Sequence, residues 1–259
     1  MNIVVCIKQV PDTTEIKIDP KTNTLIREGV ESIINPFDLY AIEEAVKIKE
    51  TCGGTVTAIS MGPPQTENAL REAVSLGVDR IILLSDRKFA GADTWATSLT
   101  LAGAIKQLGE VDLIFFGQQA IDGDTAQVGP GVASHLDIEQ VCFVSKIIQI
   151  KGKELELERL MEDGYDVLST QIPLALSVVK EINTPRLPSL RGKKNARSVE
   201  LTVWNANDLA LDEKLIGLNG SPTQVVKIFT PQMTKHGEKH EVSAEQAADI
   251  IYKRIKELR

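Results

Sequence analysis

Val111-Asp112-Leu113-Ile114-Phe115-Phe116-Gly117-Gln118-Gln119-Ala120-Ile121-Asp122-Gly123-Asp124-Thr125-Ala126-Gln127-Val128-Gly129-Pro130 joins an apolar run to a small, polar loop and then to a helix-compatible stretch ending near Leu136. This is a strand, a loop and a helix start. A polar loop at the carboxyl end of a buried strand can point several backbone N–H groups at one anion, and a helix N-terminus adds positive partial charge. Phosphate is the natural guest. Ala120, Gly123 and Ala126 let a ligand approach the backbone, the Gln side chains both donate and accept, and Asp124 and Thr125 can cap the helix. The same residues also read as an ordinary capped strand-to-helix turn; the length and polarity of the loop favour the anion.

Working outward, the strand of residues 111–116 is one of four. Residues 2–8, 54–60 and 80–85 are further apolar, β-branched runs of the kind buried on both faces. Between them, 37–50, 65–76 and 93–108 carry helical periodicity. Strands separated by helices of this length imply an α/β fold with a mainly parallel sheet, right-handed crossovers and flanking helices. Ligands gather outside the carboxyl ends of such strands, the rim that Lys8-Gln9-Val10-Pro11 and Met61-Gly62-Pro63-Pro64 share with the opening loop. A small hairpin is expected of 15–18 and 24–27, around the turn-rich residues 19–23.

The second half differs in kind. Residues 143–150 and 154–159 alternate polar and apolar around Lys151-Gly152-Lys153, an antiparallel hairpin, and 173–179 is another strand candidate, so the sheet becomes mixed. From 183 to 234 the chain carries Pro185, Pro188, Pro222 and Pro231, few clear helices and long connections, which calls for a function or a partner surface. Ser243, with Gln246 three residues on, opens a capped terminal helix over 243–258. The expected division is an α/β domain over 1–182 and an extended carboxyl-terminal arm over 183–259.

A chain of 259 residues, 42% hydrophobic and 25% charged, has the composition of a globular protein with a substantial core. Its net charge of −7 argues against general affinity for nucleic acid or anionic membrane. No run is long and apolar enough to span a bilayer, the amino terminus lacks the features of a signal peptide, and the cytoplasm is the expected location. Cys6, Cys52 and Cys142 are scattered and contain no Cys-x-x-Cys, so they read as reduced thiols. His236-Gly237-Glu238-Lys239-His240 reads as a polar loop rather than a metal site, because Gly237 weakens any helix that would align the two histidines. Neither a Gly-x-Gly-x-x-Gly fingerprint nor a P-loop is present, and no nucleophile stands out.

Three rim segments, Ile7 to Val10, Asn35-Pro36-Phe37-Asp38 and the opening loop, converge in such a sheet beside Met61-Gly62-Pro63, and together they can hold a nucleotide. Backbone groups after the first strand can read an adenine edge, Asp38 can accept from ribose hydroxyls, and the helix start at 122–127 can take phosphates. Asp122 and Asp124 then have to turn outward. Asn35-Pro36-Phe37-Asp38 equally reads as a plain helix start. Arg186-Leu187-Pro188-Ser189-Leu190-Arg191-Gly192-Lys193-Lys194-Asn195-Ala196-Arg197 has five cations and no acid. It reads either as a solvated basic loop or as an apolar anchor ringed by cations that suits an acidic protein surface.

These motifs together resemble the β subunit of electron transfer flavoproteins. The pieces are Val5-Cys6-Ile7-Lys8-Gln9-Val10-Pro11-Asp12, Asn35-Pro36-Phe37-Asp38 followed by Ala41-Ile42-Glu43-Glu44-Ala45, Met61-Gly62-Pro63, the opening loop, and Asn183-Thr184-Pro185-Arg186-Leu187-Pro188-Ser189-Leu190, in that order along nearly the whole chain. The resemblance implies an adenine nucleotide alpha hydrolase-like domain, a heterodimer with an α subunit, and a carboxyl-terminal extension reaching over that partner. It implies that Leu187, flanked by Arg186, Leu190 and Arg191, inserts into a pocket on an FAD-dependent dehydrogenase. It also implies a cofactor site built from Ile7, Lys8, Gln9, Asn35, Asp38, Met61 and Gly62, completed by Gln119, Ala120, Asp122, Gly123, Asp124, Thr125, Ala126, Gln127 and Val128.

Members of that family divide by the nucleotide held. Respiratory-type β subunits hold AMP and tend toward Asp-Asp-Asp-Cys-Asn-Gln in the loop, whereas Asp122-Gly123-Asp124-Thr125-Ala126-Gln127 looks like the electron-bifurcating form, which holds FAD. The implied activity is hydride acceptance from NADH, with electrons divided between ferredoxin and, through the α-subunit FAD, the dehydrogenase. Because the flavin carries that chemistry, no catalytic side chain is expected. The alternatives are an AMP-bearing, non-bifurcating subunit and, more remotely, a stand-alone adenine-nucleotide-binding module, for which residues 183–234 would have no use.

Overall fold

The computed structural model describes residues 1–12, 32–226 and 237–258. The chain divides into two compact units, Met1–Val226 and Lys227–Arg259. In the first, β1 (Asn2–Cys6), β2 (Gln9–Pro11) and β3 (Ser32–Ile34) precede α1 (Pro36–Cys52), β4 (Thr55–Met61), α2 (Glu67–Ser75), β5 (Arg80–Leu84), α3 (Thr94–Leu108), β6 (Leu113–Gly117) and α4 (Val128–Leu136). There follow β7 (Glu139–Lys151), β8 (Glu154–Leu160), β9 (Tyr165–Gln171), β10 (Leu174–Val178), α5 (Leu190–Ser198) and β11 (Leu201–Trp204).

Nine strands form one sheet in the order β11-β5-β4-β1-β6-β10-β7-β8-β9, and β2 pairs antiparallel with β3. All neighbours from β11 to β7 are parallel, while β7, β8 and β9 continue as an antiparallel ribbon. This is the mixed α/β sheet expected from the strand–helix alternation. From β1 the chain builds outward through β4 and β5, then returns to lay β6 on the other side of β1. Such a reversal leaves a crevice outside the carboxyl ends of the two central strands, and neighbouring helices cannot fill it because they depart to opposite faces.

Alternation along β1 explains why its sequence is apolar without a break. Ile3 and Val5 enter a core shared with α1 and α2 through Ala41, Ile42, Ala45 and Leu70, whereas Val4 enters a second core with Leu101 and Ile105 of α3 and Val132 of α4. Phe115 of β6 has no exposed surface. Burying a side chain of that size contributes roughly 3 kcal/mol, so the central strands that set the crevice are anchored from both faces.

Residues 183–226 pack within the first unit. Two of their elements escape a reading of periodicity. The basic stretch expected as a loop contains α5, whose N-cap Ser189 Oγ accepts from Gly192 N at 2.9 Å. Leu-Arg-Gly-Lys-Lys-Asn-Ala-Arg-Ser has no apolar stripe, so tertiary contacts hold this helix: Arg71 of α2 donates to Ala196 O at 2.6 Å, and Gly192 lies against the Ser75 carbonyl where a Cβ would collide. The four residues of β11 add the outermost parallel strand beside β5. In the second unit, α6 (Ala244–Glu257) carries the expected capping box, with Gln246 N donating to Ser243 Oγ at 3.3 Å and Ser243 N to Gln246 Oε1 at 3.2 Å. The hairpin expected of 15–18 and 24–27 lies outside the described residues, as does His236.

Candidate functional site

The crevice at the ends of β1 and β6 is closed at its base by Asp38, in the first turn of α1. Lys8 N donates to Asp38 Oδ2 at 2.7 Å and Asn35 Nδ2 to Asp38 Oδ1 at 3.0 Å, while the Gly117 N–H donates as well. Asp38 is 5% exposed. Burial pushes its carboxyl up from 3.8 to about 7, against the pull of these three donors and of the Lys8 ammonium. The same burial raises the Cys6 thiol behind it, with Asp38 adding to the effect. Asp38 thus ties together the ends of β1 and β6 and the start of α1. Asp38, expected as an acceptor for ribose hydroxyls, thus also has a structural role, its oxygens accepting from the wall of the crevice.

Gly117 is required by this junction, because a Cβ there would overlap Asp38 and the backbone of Phe37. Asn35 also serves the junction. With Pro36 as the first helical residue it stands at the N-cap position of α1, yet its side chain makes no cap bond. Instead Asn35 Nδ2 donates to Gln119 O at 2.8 Å, Asn35 Oδ1 accepts from Ile121 N at 3.1 Å, and Asn35 N donates to Lys8 O at 2.8 Å. Asn35-Pro36-Phe37-Asp38 opens α1, one of its two expected readings, and it also fixes the loop after β6.

That loop runs from Gly117 to Gln127. Asp124 N donates to Ala120 O at 2.8 Å, and the Gln119 amide donates to the Asp124 carboxylate, which closes a turn with Asp124 at φ +53°. Ala126 is also at φ +53°, and Gln127 follows in the right-handed region at φ −101°, ψ −20°. A left-handed residue followed by a right-handed one turns successive N–H groups toward one side, forming a concave anion receptor. Among the described residues, the N–H groups of Thr125, Ala126, Gln127 and Val128 meet no acceptor. Contrary to expectation, neither Asp124 nor Thr125 caps α4. The helix α4 begins only at Val128, with Gln127 at its N-cap and no side-chain cap, because the backbone at Ala126 interrupts any earlier helical turn.

Side chains around the loop leave those N–H groups open. Asp122 Oδ1 accepts from Lys8 Nζ at 2.6 Å across the crevice, and Thr94 at the start of α3 donates to Gln127 Oε1 at 2.9 Å. Gly123 has a negative φ and nothing within 4 Å of where a Cβ would stand, so neither backbone conformation nor internal packing asks for glycine there. On the far side, Ile7 is buried and hydrogen-bonded through its N–H to Ile59 O at 2.9 Å, and Gln9 Nε2 donates to Gln65 O at 3.3 Å. Met61 ends β4, and Gly62 N donates to Leu84 O at 3.0 Å. The three rim segments therefore meet as anticipated. Thr94 was missed, since its link to Gln127 crosses 33 positions and leaves no local pattern.

The cationic segment lies apart from this crevice. Leu187 and Leu190 are 88% and 89% exposed, and Arg191 is exposed with them. Arg186 is turned inward: its Nε donates to Glu43 Oε2 at 2.8 Å and its Nη1 to Glu50 Oε1 at 2.6 Å. Both carboxylates raise the Arg186 guanidinium, Glu50 most, and Arg186 in turn holds Glu50 below its usual range. Two buried acids within the apolar face of α1, Glu43 and Glu44, were the available signal of such a partner.

Comparison with known proteins adds the wider frame. A family model described as "Electron transfer flavoprotein domain" matches residues 22–209. The chain is 51% identical over 256 residues to "Electron transfer flavoprotein subunit beta" of Thermoanaerobacterium thermosaccharolyticum, covering 98% of each chain. It is 49% identical over 257 residues to the protein of that name from Clostridium acetobutylicum, covering 99% of this chain and 98% of the relative. With "Caffeyl-CoA reductase-Etf complex subunit CarD" of Acetobacterium woodii it shares 52% identity over 239 residues, 92% of this chain and 91% of the relative.

Proposed function

The chain belongs to the electron transfer flavoprotein family, as a β subunit that acts with an α subunit, and on that premise we propose that its crevice holds FAD rather than AMP. The observation that carries this reading is the open N–H receptor at 125–128 beside an unconstrained Gly123. Four unengaged N–H groups at the mouth of α4, with Lys8 within reach of the same loop, suit a ligand with more than one phosphate. A glycine that the fold does not demand leaves space for a bulkier guest than a monophosphate needs.

In this reading the protein's own groups bind and orient. Thr125, Ala126, Gln127 and Val128 offer backbone N–H groups to the diphosphate, Lys8 supplies the mobile positive charge, and backbone groups of Ile7 and Gln9, with Met61 and Gly62 nearby, border the adenine. Asn35, Asp38, Gln119 and Ala120 keep that frame in register. Bound there, FAD would supply the redox chemistry, that of hydride acceptance from NADH and division of its electrons between ferredoxin and the α-subunit FAD. Exposed Leu187 and Leu190, with Arg191 beside them, dock an FAD-dependent dehydrogenase, and the name of the Acetobacterium woodii relative, which places that protein in a complex with a reductase of a CoA ester, supports a partner of this kind. Among the described residues no helix is long and apolar enough to cross a membrane.

The deciding experiment is the nucleotide content of the purified αβ complex. Two FAD per heterodimer and bleaching of the flavin by NADH are expected. One FAD with one AMP would instead make this the non-bifurcating kind of subunit.

A further inference from the structure

The guanidinium of Arg186 is engaged on two carboxylates of α1 at once. Its Nε and Nη2 meet Glu43 Oε2 and Oε1 at 2.8 and 3.2 Å, and its Nη1 and Nη2 meet Glu50 Oε1 and Oε2 at 2.6 and 3.0 Å. The backbone N–H of Arg186 adds a fifth bond to Glu43 Oε2 at 3.1 Å. Glu43 and Glu50 stand two helical turns apart, so the planar fork fits between them and a flexible ammonium could not reach both. Asn183 adds a second tether, donating through Nδ2 to Tyr40 O and to Glu44 Oε2, each at 3.0 Å.

Between these tethers and the start of α5 the chain has no secondary structure, and its boundary residues Asn183 and Ser189 are extended. Arg186 is fixed against α1 while its neighbour Leu187 stands exposed, and Pro185 and Pro188 restrict the backbone on either side. Arg191, Lys193, Lys194 and Arg197 follow on α5 with no acidic partner among the described residues. This charge complements an acidic rim around an apolar pocket.

We propose that Arg186 is a positioning residue for partner docking: it does not contact the dehydrogenase but holds Leu187 in its outward, docking-ready orientation through Glu43 and Glu50. This rests on the docking role assigned to Leu187 above. Pre-fixing an anchor lowers the ordering cost of association, so its loss is felt in affinity and not in the electron-transfer step within the complex.

The test is a double-mutant cycle in the αβ complex, using an FAD-dependent acyl-CoA dehydrogenase that exchanges electrons with the wild-type protein. Arg186→Gln is expected to raise the KM for that dehydrogenase about tenfold with kcat essentially unchanged, and Arg186→Lys to give only partial rescue. In a Leu187→Ala background, Arg186→Gln should add almost nothing, since both changes remove the same oriented anchor. Glu50→Gln, which leaves the buried Glu43 pair in place, serves if Arg186→Gln fails to fold, with a smaller rise in the same direction. A raised KM for Leu187→Ala with none for Arg186→Gln or Glu50→Gln overturns the positioning role alone. An unchanged KM for Leu187→Ala overturns the docking reading and the positioning role with it.

Discussion

Lys8 Nζ lies 2.6 Å from Asp122 Oδ1, so the ammonium at the end of the first strand reaches across the crevice to the loop after β6. The two side chains are partly solvated, and a pair of this kind contributes at most about 1 kcal/mol to folding. Its position matters more than its strength. Lys8→Gln is therefore expected to leave the melting temperature within a few degrees while lowering nucleotide affinity about tenfold. Asp122→Asn frees the ammonium and removes a negative charge beside the receptor, so affinity should rise severalfold at low salt, with the gain shrinking as salt is added. Titration of the nucleotide-stripped complex would measure both, and weaker binding by Asp122→Asn would reject this account.

Two glycines of the same loop should behave oppositely. Gly117 faces Asp38 and the Phe37 backbone at contact distance, and Gly123 faces open space. Gly117→Ala forces α1 away from β6 and is expected to cost at least 2 kcal/mol, with loss of nucleotide as the Asn35 bridge shifts. Gly123→Ala should change stability by no more than about 0.5 kcal/mol, because φ is negative and nothing is displaced, yet it should weaken retention of the larger nucleotide. Denaturant unfolding beside cofactor content separates the two. Equal flavin retention by wild type and Gly123→Ala would remove the argument that this glycine is there for the ligand.

The fold was legible where composition and periodicity point the same way. The runs at β1, β4, β5 and β6 are apolar on both faces because both layers bury them, and Ser243 before α6 is a cap residue that acts as a cap. The convergence of the rim segments followed from the strand–helix alternation, which puts the loops after parallel strands on one edge. Less local facts were hidden. The wall role of Asp38 could not be read beside its expected ribose contact, because its three donors come from residues 8, 35 and 117, which only the folded sheet brings together. Arg186 looked like part of a cationic docking patch because its acids are 143 and 136 positions away. The helix α5 was hidden for a similar reason, since Arg71 and Ser75 on α2 hold it and its own sequence has no apolar face.

Asp38 makes stability depend on pH in an unusual direction for a carboxylate. Its folded value is raised to about 7 from an ordinary 3.8, so the folded state binds the proton more tightly than the unfolded chain. Its contribution is fully present below about pH 4 and is lost as the pH rises through about 7. In Asp38→Asn that dependence should vanish, though the variant keeps only one acceptor oxygen for the donors from residues 8, 35 and 117 and should be less stable throughout by roughly 1–3 kcal/mol. The wild-type advantage is thus expected to be larger at pH 5 than at pH 8. Melting temperatures of both proteins across that range would decide it, and a gap that widens with rising pH would mean that the donors, not burial, dominate the site.

Ala126 carries the geometry of the receptor, for its φ of +53° is what turns the following N–H groups together. A left-handed alanine costs roughly 1–2 kcal/mol, a strain that persists only if the surrounding turn enforces it. Glycine removes the penalty at this angle, so Ala126→Gly should bind nucleotide as well as the wild type and lose no stability beyond about 0.5 kcal/mol of added chain entropy. Valine is branched at Cβ and strongly disfavours positive φ. Ala126→Val should push the loop toward an extended or helical backbone and scatter the N–H groups of 126–128. The melting temperature should then fall by a few degrees, while nucleotide affinity falls tenfold or more. Binding titrations on the two variants test whether the backbone, and not a side chain, holds the phosphates; a valine variant that retains nucleotide would place the anion elsewhere in the crevice.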